Sequence, residues 1–105
     1  MGGSAYQWPM GLEILRPHRQ AILDLAARHG ACNVRVFGSV ARGVDTPESD
    51  VDLLVDFPAR ERGLLPLLTL AEQVEQLVGR PVDVAAVEVM AEPVRDRALA
   101  EAVPL

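Results

Sequence analysis

The segment from residue 50 to residue 57 constrains the fold of this chain more than any other. It reads Asp-Val-Asp-Leu-Leu-Val-Asp-Phe, and its odd-numbered positions are all apolar: Val51, Leu53, Val55 and Phe57. Successive side chains of a β-strand point to opposite faces of the sheet. The pattern therefore predicts a strand with one wholly buried face, whereas the other face carries carboxylates.

Two of those carboxylates, on Asp50 and Asp52, share one face and lie roughly 7 Å apart along the backbone. Carboxylates this close repel each other, so one of them would hold a proton at neutral pH unless a cation lay between them. Mg²⁺ binds carboxylate and phosphate oxygens and retains several waters. The pair is therefore a candidate magnesium site. Asp56, one pair of residues further along, is expected to lie too far away and to meet solvent or an arginine.

A Gly-Ser pair lies upstream, at residues 38 and 39, directly after an apolar run that predicts another strand. Gly38 lets backbone N–H groups approach an anion closely, and the hydroxyl of Ser39 is a further donor to phosphate oxygen. Followed by the Asp-x-Asp pair, this layout can hold a triphosphate together with the divalent metals that neutralise it.

These residues together resemble a known signature. Gly38-Ser39, ten intervening residues and then Asp-hydrophobic-Asp-hydrophobic is similar to the motif of the DNA polymerase β-type nucleotidyltransferase superfamily. The fuller string, residues 36–43 followed by residues 49–55, resembles its smallest branch, the minimal nucleotidyltransferases that include MntA-like antitoxins. The resemblance extends over about residues 12–105. It implies an α/β (α+β) domain, in which a small mixed sheet packs against helices.

Asp83 lies between Val82 and Val84, where that family has a third carboxylate on a later strand. The resemblance makes Asp83 a ligand of the catalytic metal and a candidate base that takes the proton of the acceptor. From the residues alone, the simpler interpretation is an exposed acid on an edge strand.

The resemblance further implies a reaction, the transfer of AMP from ATP to a hydroxyl group with release of pyrophosphate. Two Mg²⁺ ions would stabilise the attacking and leaving oxygens. Asp50, Asp52 and Asp83 would be both the catalytic residues and the metal ligands, while Gly38 and Ser39 would bind the β- and γ-phosphates.

Arg42 and Ser49 belong to the same predicted nucleotide-binding set, each with an alternative. Arg42 either neutralises charge on the departing pyrophosphate or forms a salt bridge to Asp45 or Glu48. Ser49 is expected to brace the loop that presents Asp50 rather than to contact the substrate.

Composition bounds the remaining possibilities. The chain has 105 residues and a net charge of −5, which indicates one domain and argues against binding of nucleic acid, since that needs a basic face. No apolar run approaches the ~20 residues that span a bilayer. The lone Cys32 fits a reducing compartment, so a cytoplasmic location is expected. Residues 1–11 are expected to be a flexible lead, and residues 12–105 a single nucleotidyltransferase domain.

Apolar periodicity predicts the order helix, strand, strand, helix, strand, helix. The predicted helices cover about residues 16–29, 64–78 and 93 onward; the predicted strands cover 33–37, 51–57 and 82–87, and residues 58–62 are expected to form a turn. The first two strands can pair antiparallel, which gives a mixed sheet. The last two helices are expected to bury Leu64, Leu67, Leu68, Ala71, Val74 and Val78, and Val94, Ala98, Leu99 and Ala102.

The sequence says less about the acceptor of the AMP group than about its donor. Because the last predicted helix ends close to residue 105, no surface is left for an acceptor domain, and a partner protein is expected to present the acceptor. In minimal nucleotidyltransferases the partner is typically a HEPN-type toxin ribonuclease. The resemblance thus implies an antitoxin that adenylylates a tyrosine of its toxin, within a homo- or hetero-oligomer. Two alternatives stay open: an antitoxin that neutralises by docking with little or no transfer, and a nucleotidyltransferase that acts on a small-molecule acceptor.

Overall fold

The computed structural model describes residues 10–43 and 49–105, which form a four-stranded mixed sheet with helices packed on it. The strands are β1 (Cys32–Phe37), β2 (Val51–Asp56), β3 (Val82–Ala86) and β4 (Val103–Pro104). Their order across the sheet is β3-β2-β1-β4; β1 is antiparallel to both β2 and β4, and β2 is parallel to β3. The predicted mixed sheet is confirmed, and β4 was not predicted.

The helices within the described ranges are α1 (Met10–Leu15), α2 (Arg19–Arg28), α3 (Gly38–Arg42), α4 (Ala59–Arg62), α5 (Leu65–Val78) and α6 (Val94–Glu101). Two 3₁₀ turns, Arg16–His18 and Val87–Val89, connect them to their neighbours. In residues 10–43 and 49–105, no helix combines the length and the apolar character that crossing a membrane requires. The predicted N-terminal lead lies largely outside the described residues, although α1 begins at Met10, inside it.

One face of the sheet forms the core together with α1, α2 and α5. Val51, Leu53 and Val55 of β2 are completely buried, as the alternating pattern predicts. They pack with buried residues of the helices and of β1, among them Leu15, Ile22, Val36, Leu70 and Val74. Each large aliphatic side chain buried in this way contributes about 1.5–3 kcal/mol. This face therefore fixes the orientation of β2, so that Asp52 projects from the opposite face.

The opposite face is covered at its centre and polar at both ends. Leu54 is completely buried there, outside the main core, and its register partners are Arg35 and Ala85. The 3₁₀ turn Val87–Val89 contacts β2. Asp52 lies at one end of the strand and Asp56 at the other, and both are partly exposed. The two acids on this face therefore lie in separate environments.

The first long helix begins at Arg19, not at Arg16 as the sequence predicted. Pro17 has no N–H to donate, and its ring clashes with the carbonyl four residues earlier in a continuous helix. The chain accordingly forms α1, then a 3₁₀ turn that contains Pro17, and α-helical geometry resumes in α2. Its C-terminal end agrees with the prediction, since Gly30 follows with a positive φ of 83°.

Three further predictions were wrong in detail. Residues 59–62 form the short helix α4 where a turn was predicted. On α5 the buried residues are Leu67, Leu70 and Val74, while Leu64 and Leu68 are 52% and 62% exposed. Leu64 precedes the helix, and Leu68 lies about 100° around it from Leu67.

On α6 only Ala98 is buried, and Val94 and Leu99 are exposed.

Candidate active site

Three side chains lie next to one another at one end of the sheet, on the face opposite the main core. Phe37, the last residue of β1, is the register partner of Asp52, and Asp83 of β3 is the partner of Asp52 on the other side. Register partners project to the same face, and neighbouring strands are about 4.8 Å apart. Asp50 directly precedes β2 and is exposed. The structure thus brings together the three aspartates that the sequence singled out.

Gly38 forms the backbone wall beside Asp52. It has a positive φ of 76°, and a Cβ added there would lie only 2.5 Å from Oδ2 of Asp52. Any other residue would therefore be strained in its backbone and would also meet the carboxylate. Ser39 follows in α3 and is partly buried. Gly38 of the predicted phosphate-binding pair accordingly lies against the predicted metal-binding acid.

The carboxyl group of Asp52 has a raised pKa. Burial is the largest cause, followed by the negative charges of Asp83 and Asp50, while the positive charge of Arg42 acts in the opposite direction. Both neighbouring carboxylates therefore lie within electrostatic reach of Asp52. A cation bound among them would relieve the repulsion and favour the ionised form.

The donor set fits a hard divalent cation, because Mg²⁺ prefers carboxylate oxygens and completes its octahedral shell with water and substrate phosphate. In the described part of the chain, no three His, Cys, Asp or Glu side chains are already closed around one common point. Asp50 and Asp83 are exposed and can rotate toward Asp52. The site therefore has the right ligands in an open arrangement.

Arg80 is a site residue that the sequence analysis missed. It is only 6% exposed, and its Nε and Nη2 donate hydrogen bonds to the carbonyl oxygen of Ser49 at 3.3 and 3.0 Å. The N–H of Val51 donates to the carbonyl of Pro81 at 2.8 Å. These bonds hold the residues on both sides of Asp50 to the turn that leads into β3. The only local signal was an arginine in a Gly-Arg-Pro turn directly before a strand.

Arg42 forms an ion pair that was not predicted. Its Nη1 lies 3.1 Å from Oε1 of Glu101 in α6, and both side chains are partly exposed. The predicted alternatives were a phosphate contact or a bridge to Asp45 or Glu48, and those two acids lie outside the described residues. Asp56 behaves as predicted at the far end of β2, where it pairs with Arg35 at 3.3 Å and accepts a hydrogen bond from Asn33 at 2.6 Å.

Two cavities flank this face of the sheet. One, of about 400 Å³, lies at the Asp56 end and is lined by Cys32, Phe57 and Glu88 among others. A smaller one, of about 200 Å³, lies at the Asp52 end between Gly38 and α6. The larger cavity is remote from the Gly-Ser turn and the three aspartates, whereas the smaller one has Gly38 in its wall.

A mixed sheet with a Gly-Ser turn after one strand and carboxylates on the next two is the arrangement expected of a nucleotidyltransferase. The chain belongs to the nucleotidyltransferase domain family, whose family model matches residues 18–104. The protein is accordingly a nucleotidyltransferase, and the predicted enzyme class is confirmed.

Individual relatives are named as one kind of nucleotidyltransferase, the protein adenylyltransferases. A candidate protein adenylyltransferase of Methanocaldococcus jannaschii is 34% identical over 85 residues, which is 81% of this chain and 90% of that protein. The protein adenylyltransferase MntA of Thermococcus cleftensis is 41% identical over 70 residues, 67% of each chain.

Two solved structures have the same fold. A candidate minimal nucleotidyltransferase matches with a TM-score of 0.78 and 45% identity, over 97% of this chain and 100% of that chain. A crystal structure of a toxin–antitoxin with AMP-PNP matches with a TM-score of 0.64 over 81% of this chain and 69% of that chain. At 16% identity the second likeness concerns the fold alone. The resemblance to the minimal nucleotidyltransferases is confirmed.

Proposed function

We propose that the protein transfers AMP from ATP to a hydroxyl group of a partner protein and releases pyrophosphate. Two relatives are named as protein adenylyltransferases, one of them as a candidate, and a structure of the same fold is of a toxin–antitoxin with AMP-PNP. The observation that carries the proposal is the geometry around Asp52, which is the register partner of Asp83 and has Gly38 of the Gly-Ser turn against its carboxylate. Three carboxylates that interact beside a Gly-Ser turn suit a triphosphate with its metals.

Asp50, Asp52 and Asp83 are the residues that would hold two Mg²⁺ ions. Asp52 is the central ligand because it has Asp83 beside it across the sheet and Asp50 two residues away along the chain. Bound there, the ions would neutralise charge on the attacking and leaving oxygens of the phosphoryl group.

The protein's own groups position the reactants. The acceptor oxygen attacks the α-phosphorus of ATP, the bond to the bridging oxygen breaks, and its electron pair leaves with pyrophosphate. Asp83 accepts the hydroxyl proton, since it is the exposed acid on the side of Asp52 away from Gly38. Gly38 and Ser39 bind the β- and γ-phosphates, and the half-exposed Arg42 can turn from Glu101 to the departing pyrophosphate.

The proposed partner is a HEPN-type toxin, and the proposed acceptor is one of its tyrosines. This assignment rests on the resemblance to MntA-like antitoxins, and the naming of one relative as MntA supports it. The proposed location is the cytoplasm, because the proposed reaction consumes ATP.

Co-expression with a HEPN-type toxin, the proposed partner, tests the proposal by intact mass. Wild type is expected to add whole AMP units to the partner, and the double variant Asp50→Asn/Asp52→Asn is expected to add none. Asp56→Asn is the matched control, because Asp56 lies on the same strand but pairs with Arg35. An unmodified partner with wild-type enzyme, in the presence of ATP and Mg²⁺, would contradict the proposal.

A docking antitoxin is the second candidate function, and one observation favours it. Leu64, which directly precedes α5, and Leu65 and Leu68 at its start are 52%, 72% and 62% exposed. Neighbouring exposed leucines of this kind mark surfaces that bind other proteins. If docking alone neutralises the toxin, the Asp50→Asn/Asp52→Asn variant still protects cells, whereas Leu65→Ser/Leu68→Ser does not. If transfer is required, the aspartate variant loses protection.

A further inference from the structure

We infer that the outer edge of β3 pairs with an extended segment of the acceptor protein, which adds a strand to the sheet and brings its hydroxyl group to Asp83. The inference rests on the proposed function, because it describes how the acceptor of that reaction is held. β3 is the last strand on its side of the sheet, where the order is β3-β2-β1-β4. Its Asp83 is the register partner of Asp52, so this edge borders the candidate active site.

The ladder between β3 and β2 determines which backbone groups of β3 point outward. The N–H of Val51 donates to the carbonyl of Pro81 at 2.8 Å, and Val51 is the register partner of Val82. In a parallel ladder this bond assigns the N–H and C=O of every second residue to the neighbouring strand. Asp83 therefore turns its backbone groups to β2, whereas Val82 and Val84 turn theirs away from the sheet.

The outward N–H groups of β3 are accessible to an acceptor oxygen. The N–H of Val82 donates to Oε2 of Glu75 at 3.3 Å, so a side-chain oxygen lies where the carbonyl of a further strand would lie. Among the residues that the structure describes, none accepts a hydrogen bond from the outward N–H of Val84. An unpaired strand edge of this kind is a template for pairing with an extended segment of another chain.

A strand added at this edge would carry its side chains to the reacting groups. In an antiparallel pair, the residue opposite Val84 exchanges both backbone hydrogen bonds with it, and the next residue lies opposite Asp83 on the face of Asp52. Cβ atoms of opposite residues are about 4.5–5.5 Å apart, and aromatic side chains reach diagonal neighbours at roughly 7–8 Å. A tyrosine opposite Asp83 can therefore extend over that carboxylate toward Asp52.

The charge along this edge favours one occupant over another. Glu75 and Asp83 are both exposed, so a segment that carries basic residues is favoured. A second copy of this chain is disfavoured, because pairing β3 with β3 would bring both acids of each copy into one interface. A helix is excluded as the paired element, since its own backbone groups are already hydrogen-bonded. The occupant is therefore an extended segment of the acceptor protein.

Amide hydrogen exchange tests the pairing without depending on catalysis. Exchange is measured by NMR for the full chain, alone and saturated with a HEPN-type toxin. The N–H of Val84 is expected to exchange at least about tenfold more slowly in the complex. The N–H of Asp83, which faces β2 in both states, is the internal control and should change little. Unchanged exchange at Val84 in the saturated complex overturns the inference. Protection in the protein alone that rises with its concentration also overturns it, because a second copy would then occupy the edge.

A pair of variants tests the same contact through transfer kinetics. Val84→Pro removes the outward N–H, a change that edge strands tolerate. Val84→Ala is the matched control, because it loses the same packing against the core but keeps the N–H. The KM for the acceptor protein should be about two- to tenfold higher in Val84→Pro than in Val84→Ala, the effect of one lost hydrogen bond, while the KM for ATP is the same in both. Equal KM values for the acceptor in the two folded variants overturn the inference.

The two experiments also separate this inference from the proposed function. A toxin that protects the N–H of Val84 but gains no AMP supports the pairing and contradicts the proposed transfer. A toxin that is adenylylated without protecting Val84 supports the transfer and overturns the pairing. If Val84→Pro fails to fold, the exchange measurement on wild type decides.

Discussion

Asp52 and Asp83 are direct partners on two adjacent parallel strands, and the charge of Asp83 raises the pKa of the Asp52 carboxyl. The fold thus holds together two groups that repel each other, with a third, Asp50, nearby. A site that is unfavourable without a cation and well supplied with oxygen ligands is poised to bind one.

Asp52→Asn is expected to separate catalysis from stability. The substitution removes a partly buried charge and its repulsion by two neighbours, so Tm in metal-free buffer should stay the same or rise. Nucleotide transfer should fall at least about 100-fold, the scale on which positioned electrostatic groups act. Stabilisation by Mg²⁺ with AMP-PNP should disappear. A lower Tm in EDTA would mean that the carboxylate is structural, and Asp56→Asn is the control.

The stability of the protein should depend on pH through the carboxyl group of Asp52. Its pKa is raised in the folded state, so the folded protein binds the proton more tightly than the unfolded chain does. In EDTA this group therefore stabilises the fold below its unfolded pKa, and that contribution is lost as pH rises through the folded value. The difference in Tm between Asp52→Asn and wild type should grow from pH 4 upward and then level off. A constant difference would refute this expectation.

Gly38→Ala should lower the free energy of unfolding by more than backbone strain alone would. Gly38 and Gly79 have φ values of 76° and 73°, but only at Gly38 would the new Cβ meet another atom, Oδ2 of Asp52. Gly79→Ala should lower the free energy of unfolding by about 1–2 kcal/mol, the cost of the left-handed conformation. Gly38→Ala should lower it further and abolish nucleotide transfer. Equal losses of stability in urea unfolding would show that the contact with Asp52 is easily relieved.

Arg80 is expected to position Asp50. In Arg80→Met the partly buried carbonyl of Ser49 loses the two hydrogen bonds from Arg80, at a cost of about 1–3 kcal/mol. The kcat for transfer should fall and the concentration of Mg²⁺ for half-maximal activity should rise, while the KM for ATP changes little. Arg80→Lys keeps a donor, so both the kcat and the Mg²⁺ requirement should return part of the way to their wild-type values. If only Tm falls and the Mg²⁺ requirement is unchanged, Arg80 is structural alone.

The ion pair between Arg42 and Glu101 offers a test of the role of Arg42. If the arginine turns to the triphosphate, Glu101 competes with the substrate, and Glu101→Gln should tighten AMP-PNP binding by several-fold at low salt. Arg42→Gln should weaken it. Because the pair is partly exposed, its loss should cost at most about 1 kcal/mol of stability. Equal AMP-PNP affinities in all three proteins would leave Arg42 as a surface ion-pair partner only.

Sequence reasoning was most successful where one physical pattern dominated. The alternation of β2 predicted that Val51, Leu53 and Val55 are buried and on which face Asp52 lies, although Leu54 on that second face is buried as well. Gly79 marked the end of α5. These features depend on the period of the strand and on the conformation of single residues, which are local properties.

The missed features depend on partners far away in the chain. Arg80 is buried because a carbonyl 31 residues earlier accepts its hydrogen bonds, and Glu101 meets Arg42 across 59 residues. The two-residue segment β4 contains a proline and is a strand only because it pairs with β1. No local propensity encodes such contacts.

The pairing of β4 with β1 also sets an order of events in synthesis. Val36 is paired with Val103, and the N–H of Leu105 donates to the carbonyl of Val34. β1 therefore waits for residues that are synthesised well after it, and α6, which walls the cavity beside Asp52, lies between the two strands in the sequence. Since contacts of such sequence separation form late, a nascent chain can carry all three aspartates and the Gly-Ser turn while the cavity beside them is still incomplete. This part of the site would be complete only once residues 103–105 have left the ribosome.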